Sequence, residues 1–148
     1  MGLDMYLSKK THVKNYSFTE PKDRYEVTVT KGGEPCNIDI HKVNEIIEER
    51  GYWRKANQIH RWFVENVQNG VDDCKEYIVA YSELQNLAKV CKHVLEHKAD
   101  AEQLLPTSEG FFFGATSYDE YYYDELKQTI EIIEGCDPNG YYYYQASW

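Results

Sequence analysis

The sequence has no long apolar run. No stretch of its 148 residues is long and apolar enough to span a membrane. The opening MGLDMYLSKK has neither a basic leader nor the apolar segment of a signal peptide, and Tyr6 stands where a myristoylation motif needs Ser or Thr. These absences predict a cytosolic protein. Cysteine is sparse. Cys36, Cys74, Cys91 and Cys136 form no CxxC pair, so they read as free thiols and not as a disulfide framework. Basic residues are also in deficit. A formal charge of −9 disfavours general nucleic-acid binding, which needs a basic footprint, but it leaves room for a basic pocket in an acidic body. There is no GxSxG, no HExxH and no phosphate loop with its lysine, so no motif points to catalysis or to a cofactor.

Aromatic residues are abundant. Twelve of the 22 lie in two stretches, FFFGATSYDEYYY from Phe111 to Tyr123 and YYYYQASW from Tyr141 to Trp148. Tyrosine supplies broad, stiff contact area with a hydrogen-bonding tip, which suits recognition of a planar ligand or of another protein.

With 42% hydrophobic and 28% charged residues, the chain reads as one globular domain over residues 1–148. Leu3 to Leu7 fits a first strand. RYEVTVT, residues 24–30, alternates like a half-buried strand, and Gly32-Gly33 turns it back into a return strand over Cys36 to Ile40. Asp39 reads as the cap of a helix that runs to Arg50 and stops at Gly51. A second helix is expected from Tyr52 to Gln68 and a strand from Lys75 to Ala80. A capping box of Ser82 and Gln85 opens a helix to about Lys98, with Leu84, Leu87, Ala88, Cys91, Val94 and Leu95 on its core face. A box of Ser117 and Glu120 opens another to Glu134. After the turn at Asp137–Gly140 comes a C-terminal tyrosine strand, with Tyr141 and Tyr143 on one side and Tyr142 and Tyr144 on the other. The expected class is α+β, about four helices on a short, mostly antiparallel sheet.

Three blocks carry a resemblance. The opening MGLDMYLSKKTHVKN, the segment GYWRKANQIHRWFVENVQNGVDDCKEY and the segment LLPTSEGFFFGATSYDEYYYDEL together are similar to a family of uncharacterised proteins encoded by bacteriophages and prophages. Members of that family sometimes carry a phosphoglycerate kinase label. The chain is too short for such a kinase and has no phosphate loop. Longer members carry extra residues before the LLP block. The resemblance implies a phage or prophage origin and a place in the host bacterial cytosol. It brings no activity and no catalytic residue.

The candidate site residues fall in two groups. On the helix expected from Tyr52, His60 sits beside the apolar stripe, as a base, a ligand contact or a core histidine. Trp53 and Asn57 lie on the helix margin, placed to face a pocket. Arg54 and Arg61 are one helical repeat apart, as a phosphate clamp or, for Arg61, as the partner of Glu65. The second group is Phe113, Gly114, Thr116, Ser117, Tyr118 and Tyr122. There a glycine turn enters a helix N-terminus, whose free N–H groups attract anions beside rings able to stack on a base. The ordinary alternative is a well-capped helix.

His93 and His97 have a zinc-compatible spacing without a third ligand. Asp72 and Asp73 are adjacent carboxylates in a turn. The leading reading is a phage-type accessory protein that binds a small planar anion, nucleotide-derived, and sequesters a host immune signal. The alternatives are an acidic protein–protein inhibitor or DNA mimic, and a small nucleotide hydrolase or transferase using His60 with Asp72 or Asp73. A homodimer through the C-terminal tyrosine-rich strand is expected, because an edge strand invites pairing.

Overall fold

The computed structural model describes residues 2–148. Its main sheet has four antiparallel strands in the order β4-β1-β6-β5: β1 Asp4–His12, β4 Glu45–Arg54, β5 Tyr77–Val79 and β6 Tyr141–Ser147. A minimal hairpin, β2 Thr30–Lys31 and β3 Glu34–Pro35, stands apart. The helices are α1 Asn57–Asn66, α2 Tyr81–Glu96, the single turn α3 Ala101–Leu104, and α4 Glu120–Glu134. The class is α+β, as expected, and no helix among the described residues is long and apolar enough to cross a membrane.

Register decides which side chains make the core. Met5 and Leu7 of β1 lie opposite Trp53 and Gly51 of β4 on one side, and opposite Ala146 and Tyr144 of β6 on the other. With a period of two, these residues share one face, and all are buried. The helices cover that face. Phe63 of α1 stacks on Tyr144 with ring centres 3.8 Å apart, and Trp53 donates from Nε1 to Thr129 Oγ1 of α4 at 2.9 Å. The other face, with Tyr6, Tyr52, Lys10, Ile47, Tyr143 and Ile78, carries no helix among the described residues.

Several expectations fail here for identifiable reasons. The helix expected from Asp39 to Arg50 is a short 3-10 turn over Ile40–Lys42 followed by strand β4. Asp39 does cap, accepting from His41 N at 3.1 Å, but it caps only that turn. The β-branched Val43, Ile46 and Ile47 favour extended backbone, and β1 supplies the partner strand. Gly51 is therefore not a helix stop. It is the strand position that α4 approaches, where a Cβ would lie 2.6 Å from Ile132 Cγ2. Arg50 is the extra residue of a bulge between the Leu7 and Ser8 registers, and its guanidinium donates to the Gly135 carbonyl at the C-terminal end of α4.

The alternating segment at residues 24–30 is irregular up to Val29, and only Thr30 enters a strand, β2, opposite Pro35. Instead the Asn15 side chain acts as a surrogate strand for Tyr25, donating to its carbonyl at 2.7 Å and accepting from its N–H at 2.9 Å. No return strand forms over Cys36–Ile40; the strand that answers β2 is the two residues before it, Glu34–Pro35.

The second helix begins five residues later than expected, because Tyr52–Arg54 belong to β4. Lys55 makes the corner in the left-handed region (φ 58°). Neither capping box forms. Ala80 precedes α2 without a side-chain cap, and Asp119, not Ser117, caps α4 by accepting from Tyr122 N at 3.2 Å. The α2 core face is as expected, and the four cysteines are free.

The tyrosine strand splits its rings between two faces: Tyr142 and Tyr144 are fully buried, while Tyr141 is 67% exposed. It is not an edge. β6 pairs with β1 along its length and with β5 over Tyr142–Tyr144, so its backbone has little to offer a second copy. Pairing through an edge of β6, the basis for the expected homodimer, is not available over those residues.

Two substitutions test this packing by urea unfolding. Phe63→Ala leaves a cavity beneath Tyr144 and costs about 3–5 kcal/mol. Gly51→Ala forces β4 away from Ile132 and costs about 1–3 kcal/mol.

Candidate functional site

Eight of the eleven candidate residues gather around one loop, residues 105–118, between α3 and α4. Asn57 at the start of α1 is its clasp. Fully buried, it donates from Nδ2 to the carbonyls of Phe113 (3.1 Å) and Ala115 (2.9 Å), and its Oδ1 accepts from Ser108 N at 2.8 Å. Tyr122, also buried, donates to the Leu105 carbonyl at 2.7 Å. Burial raises the Tyr122 hydroxyl well above its ordinary value, so it stays a neutral donor. Tyr118 accepts from Thr107 N at 3.2 Å, Thr107 donates to the Thr116 carbonyl at 2.9 Å, and Arg61 reaches the Thr107 carbonyl at 3.3 Å. Arg61 also takes its helical partner Glu65 at 2.8 Å. Phe113 is buried with its ring edge-on to His60, centres 5.7 Å apart, and Gly114 (φ 93°) lies against Lys55. These groups hold the loop in place. Most of their polar capacity is spent within the protein.

Trp53 and Arg54 part company with the rest. Trp53 lies in the core and bonds Thr129. Arg54, next along β4, points to the uncovered face and sits 3.4 Å from Asp4. With Arg54 on a strand and Arg61 on a helix, the phosphate clamp expected from their spacing of one helical repeat does not form.

The groove at the Gly114–Ser117 turn is small, about 210 Å³. Its walls include Asp119 and Glu125 against a single cation, Lys55, so it lacks the positive field an anion site needs. Glu125 is its unusual group. Burial lifts its carboxyl from the ordinary 4.5 to about 7, opposed by the hydrogen bond from Gln58 Nε2 at 2.7 Å. Ser117 lines this groove, while Thr116 is exposed beside it.

His60 stands at the base of a separate shallow groove of about 380 Å³ with Arg61, Asp72 and Ser108. Its ring is buried and both nitrogens are engaged: Nδ1 with Tyr144 Oη at 2.7 Å, Nε2 with Asp72 Oδ1 at 2.9 Å. Burial pushes the Tyr144 hydroxyl far above its ordinary value, so it stays protonated, and each His60 ring nitrogen faces one hydrogen-bonding group of the protein. Asp73 is not a catalytic twin of Asp72, since both its oxygens accept from Tyr77 Oη at 2.9–3.0 Å. His93 and His97 stack at 4.5 Å, with His93 bonded to Asp100, and no cluster of three or more metal-ligating groups occurs among the described residues.

A further groove, about 630 Å³, is larger than either of these and is not among the sites expected from the sequence. It lies where the far end of β1 meets the start of β6, and Lys9, Lys10, His12, Tyr25, Tyr141 and Tyr143 line it. Lys10 Nζ is 4.4 Å from the centre of the Tyr143 ring and 2.5 Å from Glu76 Oε1, a hydrogen bond that raises its pKa; Lys9 is 3.2 Å from Asp137. The available signal is a pair of separate halves: KKTH after the first strand and the alternating tyrosines of the last. Only their pairing in the sheet, Lys10 opposite Tyr141 and Ser8 opposite Tyr143, joins them.

Comparison with protein-family models, with curated proteins and with solved structures finds no match.

Two outcomes follow from the loop clasp and the acidic groove. Asn57→Ala removes the partner of three backbone groups, the Phe113 carbonyl among them buried, and lowers stability by about 1–3 kcal/mol in urea unfolding. Glu125 has a folded pKa above its unfolded one, so the folded state binds the extra proton. Its stabilising effect is complete below pH 4.5 and is lost as pH rises to about 7. Glu125→Gln should flatten the fall in melting temperature across that window; an unchanged pH profile contradicts the assignment.

Proposed function

We propose that the protein is a binding protein for a small planar anion of nucleotide type, held in the groove on the uncovered sheet face and not at the Gly114–Ser117 turn. One observation carries this reading: the groove of about 630 Å³ is lined by Lys9, Lys10 and His12 together with Tyr25, Tyr141 and Tyr143, three basic side chains against the two carboxylates Glu45 and Asp137. The rings offer π-faces to a base, and the lysines offer charge to a phosphate. The lysines are now paired with Glu48, Glu76 and Asp137, whose side chains are 38–47% exposed. Pairs of this kind contribute only about 0.2–1 kcal/mol, so a phosphate can exchange for them.

The resemblance to phage-encoded proteins supports a sequestering role in the host cytosol, directed at a nucleotide signal. A second reading, a protein–protein module, is favoured by Ile47 and Ile78, which are 58% and 64% exposed on the same sheet face.

Isothermal titration with adenosine 5′-monophosphate and related nucleotides tests the ligand reading. Binding tighter than millimolar is expected. Tyr141→Ala should weaken it roughly tenfold by loss of a stacking ring, with the melting temperature unchanged because Tyr141 is largely exposed. Ligand recovered intact after denaturation identifies a sequestering protein; a chemically altered ligand identifies an enzyme.

A further inference from the structure

The groove does not end at His12. The His12 ring lies nearly parallel to Tyr16, with centres 6.0 Å apart and planes 20° apart, and Tyr16 lies on Phe18 at 5.2 Å and 7°. His12 Nε2 and Tyr16 Oη are 3.2 Å apart, which ties the stack to the groove wall. Phe18, the outermost ring, is 80% exposed. A phenyl ring held flat at the end of a stack, with that much surface in water, presents a π-face with nothing on it.

Charge around this stack differs from charge in the groove. Lys9 and Lys10 each have carboxylate partners. Lys14 and Arg24 have none among the described residues. Lys14 Nζ stands 5.4 Å from the centre of the Tyr16 ring, and Arg24 Nη2 donates to the Tyr16 carbonyl at 3.4 Å. Two unpaired cations therefore flank the stack, in a protein whose net charge is −9. Glu20 and Asp23 lie nearby in sequence, which keeps the local field modest and argues against a long or duplex nucleic acid.

We infer that the ligand is a short single-stranded oligonucleotide of two or more nucleotides, with one base among Tyr25, Tyr141 and Tyr143 and a following base on Phe18, its linking phosphate facing Lys14 and Arg24. This rests on the groove reading above and extends it. A mononucleotide cannot reach both places, because two ring-to-ring steps separate His12 from Phe18. Recognition by stacking tolerates any base, since every base has a π-face.

The test uses the full chain and 5′-phosphorylated oligodeoxyadenylates of one, two, three and six nucleotides, measured by titration calorimetry. Affinity is expected to rise roughly five- to hundredfold between one and three nucleotides, the range of one added stacking interaction. Phe18→Ala, at an exposed position that does not threaten folding, should abolish that rise and leave the mononucleotide affinity intact. Tyr143→Ala should weaken every length. Lys14→Ala with Arg24→Ala should lower the slope of log affinity against log salt by roughly 0.7 for each phosphate that is no longer neutralised. Mononucleotide binding with no dependence on length overturns this inference and leaves the groove reading standing. A length dependence untouched by Phe18→Ala overturns it as well. If no length binds, the groove reading falls and the inference with it.

Discussion

Tyr144 joins every layer of the molecule. Its ring is covered by Phe63, its strand sits between β1 and β5, and its hydroxyl is buried with His60 as partner. A buried hydroxyl without a partner is costly, so the position of α1 is set by two requirements at once: ring on ring, and hydroxyl on imidazole. His60 passes the requirement outward to Asp72, which is partly solvated. The relay runs from sheet to helix to turn, with a hydroxyl on one ring nitrogen of His60 and a carboxylate on the other.

The same economy governs the aromatic surplus. The rings of the two C-terminal stretches do not form one surface. Phe113, Tyr122, Tyr142 and Tyr144 are interior, each of the three tyrosine hydroxyls with a named partner, while Phe111, Phe112, Tyr121, Tyr141 and Trp148 face solvent. Tyrosine appears in the core because the loop over residues 105–118 and the turn at Asp137 carry backbone groups that need bonding from below. Tyr122 and Tyr142 supply it, the latter to both the carbonyl and the N–H of Asp137. A phenylalanine would fill the same volume and leave those groups unanswered.

How much is legible in the sequence follows from how local each signal is. The core face of α2, the run of α4 to Gly135 and the alternation of β6 depend on periodicity within one element, and the α+β class depends on their sum. What fails is decided at a distance. Residues 43–50 contain both helical and extended preferences, and only the demand of β1 for a second partner selects the strand. Helical periodicity puts Trp53 and Asn57 on one face. In the fold a corner at Lys55 separates them, sending one into the core and the other under the loop. The glycine at position 114 does mark a close backbone approach, but the group approached is Lys55. The large groove lies beyond the reach of sequence because its halves are about 130 residues apart and meet only through strand pairing.

Strand order also has a temporal side. β1, near residue 4, occupies an interior place in the sheet, and one of its two neighbours is β6, which extends to residue 147. A chain leaving the ribosome can therefore hold Met5 and Leu7 against β4 early but cannot close their other side until the last strand has emerged. Contacts of such long sequence separation make for slow closure, with an apolar strand edge open in the interval. A nascent chain stalled before residue 141 would present that edge, and the charged Lys9 and Lys10 at its far end are well placed to discourage it from pairing with a stranger.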